Sequence, residues 1–411
     1  MLKDKSGGYI CMVVDGAYPN DIRVRKEAEA LVKLNKKVLV VCPSKKNSVR
    51  EEEVNGVKIY RIGNNYSFTK KGIYDVVESV FNINPFFYFG LKKVFEKFEI
   101  DFLHVHDLPL AGTCFAYKSK VKKALILDLH ENYPEALKTW FLWKKNSIIK
   151  LKNSIFMNPK IWSKKEEKYC RKYDKVVCVV EEMKNKLISK FSIDSSKLIV
   201  VSNHEEKSFV DNFRENKEQS CIDENKFSIT YVGGFGPHRG LDTAIAGMKK
   251  VSDQIPNAKL YLIGKGSKDV ELKLRSLIEE NKVQGFVEIV GYRPFKEVAA
   301  IMQVSKVNII PHKADEHTNN TIPHKLFQIM LSKSLLLVSS CKPLKRIVES
   351  YDAGIVFEAE NPSDFSQKVI DLKENYNKYA YKTENAFEAV YQKSENWETE
   401  SIKLNEMYNS F

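Results

Sequence analysis

Three histidines stand where α/β proteins do chemistry. His104 and His106 are two residues apart in "HVHD", so they share one strand face, and His130 follows the next strand-like run in "DLHENYPE". Imidazoles at neighbouring strand ends can ligate a metal, hold a proton or fix a hydrogen bond. The spacing alone leaves all three uses open, and no metal site is assigned. A second group is built for anions. "YVGGFGPHRGLDTAI" puts Gly233, Gly234 and Gly236 between a strand and a helix, with Arg239 close behind. Glycines there let backbone N–H groups approach a pyrophosphate, and the arginine adds a fixed cation. "LIGKGS", 262–267, is a second glycine turn after a strand. In "HTNNTIPHKLFQIM", 317–330, Thr321 and Pro323 predict a helix starting near His324, whose free N–H groups and dipole would favour a phosphate. After the first strand, Gly16 permits a tight turn, and Arg23 and Arg25 lie near a helix start. They either meet an anionic ligand or pair with Glu27 and Glu29.

These residues need elements to position them. The first half carries the strand-like runs "YICMVVD", "KVLVVC", "VKIYRI", "FLHVH", "ALILDL", "KVVCVV" and "KLIVVS". The second carries "FSITYVGG", "AKLYLIG", "VEIVGY", "KVNIIP", "LLLVSS" and "GIVF". Helical patterns at 22–35, 181–191, 240–252, 268–281 and 362–377 alternate with them. Short Val- and Ile-rich runs separated by helices predict buried parallel sheets. Two such series predict an α/β protein of two Rossmann-like domains. The polar stretch 204–226 marks the boundary, giving domains 1–205 and 206–384. The amphipathic tail 385–411, with Trp397, Leu404 and Tyr408 on its apolar side, either caps the second domain or crosses back to the first.

The chain has 411 residues, too many for one ordinary core. No apolar run is long enough to span a membrane, and the N-terminal residues do not read as a signal peptide. Seven cysteines with no C-x-x-C fit a reducing compartment, so a cytoplasmic location is expected. The net charge of +13 is uneven. Residues 1–205 hold 38 Lys and Arg against 24 Asp and Glu, and the rest holds 28 against 29. A basic first half favours anionic lipid, nucleic acid or a phosphorylated substrate, or is only a lysine-rich solvated surface. No nucleic-acid reading module is present, and no such partner is expected. "SVFNINPFFYFGLKKVFEKF" (79–98) and "TWFLWKKNSIIKLKNSIFMNPKIW" (139–162) mix large aromatics with lysines. They suit an anionic membrane surface or an aromatic core face equally.

Over nearly its whole length the chain resembles the family 4 glycosyltransferases of GT-B fold. The segments that carry the resemblance are "YPNDIRVRKEAEALVKLNKKV", "HVHDLPLA", "DLHENYPE", "YVGGFGPHRGLDTAI", "PNAKLYLIGKGS" and "VGYRPFKEVAAIMQVSKVNIIPHK…NNTIPHKLFQIML". The resemblance implies two Rossmann-like domains facing across a cleft, with the donor in the second and the acceptor in the first. It implies retaining, metal-independent transfer from a UDP- or GDP-linked sugar, with no cofactor beyond that co-substrate. His130 matches the active-site histidine, and Arg239 the basic position on the donor diphosphate. Donor contacts are implied at Gly233, Gly234, Lys265, Tyr292, Asn320, Thr321, Ile322, Lys325 and Gln328. Acceptor contacts are implied at Gly16, Arg23, Arg25 and His106.

Three positions depart from the family pattern. Gly234 stands where many members have arginine, and Asn320 and Gln328 stand on two positions that are commonly glutamate. The second glutamate usually holds the ribose hydroxyls. An amide oxygen can still accept from a hydroxyl, with loss of a charge-assisted bond, about 1–2 kcal/mol. A glutamate restored at 328 is therefore expected to keep or tighten the grip on the donor. The implied acceptor is a glycan or a lipid-linked intermediate in surface polysaccharide synthesis, with peripheral attachment at the inner face of the membrane. Two alternatives stay open: a GT-B sugar-nucleotide epimerase, and a non-catalytic partner of another transferase.

Overall fold

The structure is a computed structural model that describes residues 8–44, 48–63, 68–140, 143, 155–215 and 221–411. Much of the aromatic and basic stretch 139–162 lies outside the described residues.

The chain divides into two compact units. The first holds Met1–Leu137, Leu151–Ser202 and Glu400–Phe411, and the second holds Lys138–Lys150 and Asn203–Thr399. Each is a sheet with helices.

In the first unit the strands are β1 (Tyr9–Val13), β2 (Val38–Pro43), β3 (Glu51–Val54), β4 (Val57–Ile62), β5 (Ile100–His106), β6 (Ala124–Leu129), β7 (Lys175–Cys178) and β8 (Leu198–Val200). They form one eight-stranded sheet in the order β3-β4-β2-β1-β5-β6-β7-β8. All neighbours are parallel except β3 and β4. The antiparallel β3 was not among the runs expected from sequence. Its residues, "EEEV", show no apolar alternation. The signal lay in the turn instead: Asn55 and Gly56 both take positive φ, as an Asn-Gly hairpin requires. Central strands such as β2 and β6 are buried along nearly their whole length, which is why they read as continuous apolar runs.

The second unit holds β9 (Phe227–Val232), β10 (Ala258–Ile263), β11 (Val287–Gly291), β12 (Val307–Ile310), β13 (Leu335–Ser339) and β14 (Ile355–Phe357). They form a six-stranded parallel sheet in the order β11-β10-β9-β12-β13-β14. Its core joins Ile229, Leu260, Leu262 and Ile309 to Leu241, Ile245 and Met248 of the helix Leu241–Gln254.

In both sheets the chain order reverses beside the first strand of the unit. β1 lies between β2 and β5, and β9 lies between β10 and β12. The loops at the carboxyl ends of these strands diverge there, so the topology opens a crevice where ligands of such sheets bind. The histidines and the glycine turns stand on these loops and strand ends.

The tail forms the helix Trp397–Asn409, with Trp397, Leu404, Met407 and Tyr408 buried. Its residues from Glu400 onward belong to the first unit. All seven cysteines are free thiols, and all but Cys221 are buried.

The turn into the helix Leu241–Gln254 is closed by Gly240, at φ +66° with Pro311 carbonyl oxygen against the face where a Cβ would sit. A Gly240→Ala variant therefore carries both left-handed strain and a backbone clash, and is expected to lose about 1–3 kcal/mol or more. Gly285, with no atom near its missing Cβ, supplies the control. Chemical denaturation should show Gly240→Ala clearly destabilised and Gly285→Ala unchanged or slightly stabilised.

Candidate functional site

At the carboxyl end of the first sheet a buried charge network has formed. The helix Ile22–Lys33 begins at Asp21, whose side chain accepts from Val24 N at 3.1 Å. This start aims Arg23 inward. Its guanidinium donates to both oxygens of Asp128, at 3.0 and 2.9 Å, and to Val201 carbonyl oxygen at 3.0 Å. It also meets Glu27 at 3.1 Å. Arg23, Glu27, Asp128, His104 and His106 are all buried.

β5 and β6 pair His106 directly with Asp128, and the His104 and His106 rings stack at 4.4 Å. Burial lowers both imidazoles, which are therefore neutral. Tyr408 hydroxyl meets His104 Nδ1 at 2.6 Å. Burial, with Asp128 nearby, raises the Glu27 carboxyl well above its ordinary range. Burial acts the same way on Asp128, but Arg23 and His130 overrule it and hold Asp128 ionised.

His130 is gripped on both sides. Its Nδ1 lies 3.5 Å from Asp107 Oδ2, and its Nε2 lies 3.4 Å from Asp128 Oδ2 and 3.0 Å from His106 Nδ1. Its backbone N–H donates to Asp107 Oδ1 at 3.2 Å. Asp107 holds φ +70°, an uncommon conformation for a residue other than glycine. Burial alone would lower the His130 imidazole, but Asp107 and Asp128 more than reverse this and pull it up to about 10. His130 is thus an imidazolium whose two N–H groups point at acceptors. It is a fixed cation and not a base in waiting.

The three histidines considered for a metal do meet, and Glu27, His104, His106 and Asp128 bring their ligand atoms within 4.8 Å of one another. The positive charge a metal would supply is already provided by Arg23, which occupies both Asp128 oxygens. Of the residues expected at the acceptor, Arg23 and His106 are buried; Arg23 spends its guanidinium on Asp128 and Val201, and His106 Nδ1 meets His130 Nε2. Arg25 is partly exposed, with its charge near Tyr18. Gly16 was expected to permit a tight turn, yet it is not among the positive-φ glycines.

The second unit has a different kind of site. Gly233 follows β9 at φ +138°, and Gly264 follows β10 at φ +139°. Gly233 N donates to Ile263 carbonyl oxygen, Phe235 N to Lys265 carbonyl oxygen and Gly264 N to Gly291 carbonyl oxygen, each at 2.9 Å. A Cβ on Gly264 would collide with the Gly233 carbonyl, so the two turns pack backbone on backbone. Gly234 is exposed and its side is open, with Lys265 carbonyl oxygen the one atom within 4 Å of a Cβ there.

Into this cradle comes Lys325. Its Nζ lies 3.8 Å from the Tyr231 ring centroid and 3.3 Å from where a Gly233 Cβ would be. It makes no hydrogen bond, although the amine itself is buried. Burial, with Arg239 adding to it, lowers its pKa well below the ordinary lysine value. Arg239 Nη1 lies 3.1 Å from His312 Nε2. Burial and then Arg239 lower His312 well below its usual value and His238 to about 2. Two basic side chains, two neutral imidazoles and a glycine turn converge without a carboxylate in the hydrogen-bond contacts just described. An orphan buried amine beside a guanidinium is costly unless an anion arrives to pair with it.

The remaining expected donor contacts sort by exposure. Lys265 and Tyr292 are exposed at the ends of β10 and β11 and stack at 5.3 Å. Asn320 is buried and donates to Glu316 carbonyl oxygen at 2.7 Å. Thr321 is extended, and Ile322 is buried with its carbonyl accepting from Asn203 Nδ2 at 3.0 Å. The predicted helix is Lys325–Leu331, only seven residues, and His324 provides no side-chain cap. So short a helix has a weak dipole, and the Lys325 amine stands at the turn as the group an arriving anion would pair with.

Sequence reading missed Glu27, Asp107 and Asp128 as partners of the histidines, and His238, His312 and Glu205 in the second unit. Asp107 and Asp128 flank the histidines in "HVHD" and "DLH", so that signal was present. Glu205 had none, since it lies 123 residues from Gln328, the side chain it accepts from.

Comparison with known proteins gives one consistent picture. The family model "Glycosyltransferase Family 4" matches residues 22–204, and "Glycosyl transferases group 1" matches residues 212–389. No curated protein matches the sequence significantly. Among solved structures, sucrose-phosphate synthase from Thermosynechococcus elongatus is similar at TM-score 0.78 and 14% identity, over 98% of this chain and 99% of that one. HepE from Anabaena, in complex with UDP-glucose, is similar at TM-score 0.72 and 12% identity, over 98% of this chain and all of that one. WaaG, a glycosyltransferase involved in lipopolysaccharide biosynthesis, is similar at TM-score 0.69 and 10% identity, over 96% and 98%.

The raised His130 pKa fixes the sign of a pH effect. The folded chain holds this proton up to about pH 10, whereas an unperturbed histidine releases it near 6.5. The stabilisation is therefore complete below about pH 6.5 and is lost as pH rises through about 10. Thermal unfolding of wild type and His130→Gln from pH 6 to pH 10 should show the wild-type advantage shrink steadily. A gap that stays constant would mean His130 is neutral in the fold.

Proposed function

Because the chain belongs to the family 4 type of GT-B glycosyltransferases, we propose that it moves a sugar, with retention, from a UDP- or GDP-linked donor to a glycan or lipid-linked acceptor in surface polysaccharide biosynthesis. The observation that carries the donor half is the unpaired, buried Lys325 amine beside Arg239 and the Gly233–Gly234 turn. A diphosphate offers the charge this cradle lacks. UDP-glucose is the ligand named for the Anabaena relative, and the lipopolysaccharide role named for WaaG supports the surface-glycan assignment.

In the proposed step the bond from the sugar's anomeric carbon to the β-phosphate oxygen breaks, and a bond from that carbon to the acceptor oxygen forms. The acceptor's proton passes to the departing diphosphate on the same face. Arg239 and Lys325 beside the glycine turn meet the charge developing on the leaving group, and this is the basis for proposing metal-independent transfer. No resident cofactor enters this scheme. His130, protonated and held by two carboxylates, serves as a hydrogen-bond donor to bound substrate and not as the general base.

A membrane-borne acceptor fits the first unit. On the helices Phe68–Phe81 and Pro85–Lys97, Ile73, Val80, Phe81 and Phe89 are 55–69% exposed, and Lys92 and Lys93 are exposed with them. The same stretch sends Phe87, Phe95 and Phe98 into the core, the other use its sequence allowed. No helix among the described residues is long and apolar enough to cross a membrane. Attachment from the cytoplasmic side would be peripheral.

Two measurements test these halves. Calorimetry should show Arg239→Ala weakening UDP or GDP by about ten- to a hundredfold, the worth of charged hydrogen bonds, with little change for the free nucleoside. A wild type that binds neither diphosphate would sink the donor assignment and leave a non-catalytic partner. Sedimentation with vesicles should show binding to anionic lipid that fades as salt rises and weakens in Phe81→Ser/Phe89→Ser. Equal binding to neutral vesicles would remove the electrostatic part.

A further inference from the structure

Gln328 does not stand alone. Its Nε2 donates to Glu205 Oε2 at 2.7 Å, and both residues are buried, at 6% and 3% exposure. Glu205 is pinned from several directions. Its Oε1 accepts from Glu206 N at 3.0 Å, and its carbonyl accepts from Trp397 N at 2.9 Å. Its neighbours grip the same stretch as Gln328: Asn203 Nδ2 donates to Ile322 carbonyl oxygen at 3.0 Å, and the His204 ring meets Phe327 edge-on at 4.3 Å. Residues 203, 204 and 205 thus lie against 322, 327 and 328 in turn.

An ionised carboxylate can only accept hydrogen bonds, while a glutamine amide has one accepting and one donating end. Turning Gln328 Oε1 toward Glu205 would set two acceptors against each other in a buried site. The pairing therefore fixes the amide with its nitrogen on Glu205 and its oxygen turned away. Lys325 and Gln328 are three residues apart on one helix, so they share a face. Lys325 points to the glycine turn, and Gln328 follows about 4.5 Å further along the axis, within the reach of a ribose whose diphosphate sits on that turn.

We propose that Glu205 is the positioning residue that makes Gln328 an acceptor for the ribose hydroxyls of the donor. The amide oxygen takes the place of a carboxylate oxygen, and the negative charge stands one hydrogen bond behind it. This rests on the donor reading of the second unit. It also reverses the expectation that a glutamate at 328 would keep or tighten binding. Gln328→Glu would place two carboxylates 2.7 Å apart in a buried site, and like charges at that distance disfavour the ionised pair.

The test titrates the full chain with whichever of UDP or GDP the wild type binds, and with its 2′,3′-dideoxy form. Wild type should prefer the ribonucleotide by about tenfold or more. Glu205→Gln frees the amide to turn and should lose most of that preference. Gln328→Glu should weaken ribonucleotide binding by about tenfold. The exchanged pair Glu205→Gln/Gln328→Glu restores one carboxylate and one amide, and should recover the preference. A purely structural Glu205 would shift the melting temperature in the single variants and leave the ribose-to-dideoxyribose ratio untouched, which overturns the proposal. So does an exchanged pair that binds no better than the weaker single variant while melting like wild type. If the wild type binds neither diphosphate, the donor reading fails and this proposal with it. A changed ratio in Glu205→Gln alone supports both.

Discussion

A single guanidinium organises the carboxyl end of the first sheet. Arg23 binds both oxygens of Asp128, meets Glu27 and reaches the carbonyl of Val201. Arg23 is the largest influence that offsets the burial of Asp128, and the ionised Asp128 in turn helps to hold His130 charged. The strained Asp107 and the neutral His104 and His106 complete a setting in which one imidazole of three carries the proton. Selective protonation of this kind comes from carboxylate placement, since the three rings are chemically identical.

The second unit shows the opposite condition. At its glycine turn two basic groups stand with no acid in their hydrogen-bond contacts among the described residues: the Lys325 amine makes no hydrogen bond, and Arg239 faces a neutral imidazole. The Arg23 guanidinium and the Lys325 amine are both buried, yet one is fully paired and the other makes no hydrogen bond. A paired charge builds structure. An unpaired amine at a glycine turn has the character of a binding site, because a ligand can supply the missing partner.

Glu205 and Gln328 form a buried pair of acid and amide drawn from distant parts of the chain. The position on the helix carries an amide, and a carboxylate from a distant part of the chain stands against it. The pair keeps both a hydrogen-bond acceptor and a negative charge near the same place. Changing one member alone would disturb the orientation of the other, so position 328 is read together with Glu205.

The sequence by itself determined the two parallel sheets, because buried strands must be apolar throughout and helices must separate them. It also determined where the chemistry-bearing loops fall, since glycines after strands and histidines at strand ends are local features. It concealed β3, whose three glutamates carry no strand pattern, although Asn55-Gly56 announced the hairpin. The tertiary structure alone decided which charges are paired. Arg23 meets Asp128 across 105 residues, Tyr408 meets His104 across 304 and Glu205 meets Gln328 across 123. Whether a basic residue is a counter-ion or a vacancy for a ligand, and whether an imidazole is neutral or charged, depends on burial and on partners within a few ångströms. Sequence spacing encodes neither of these once the partners lie on different strands and helices.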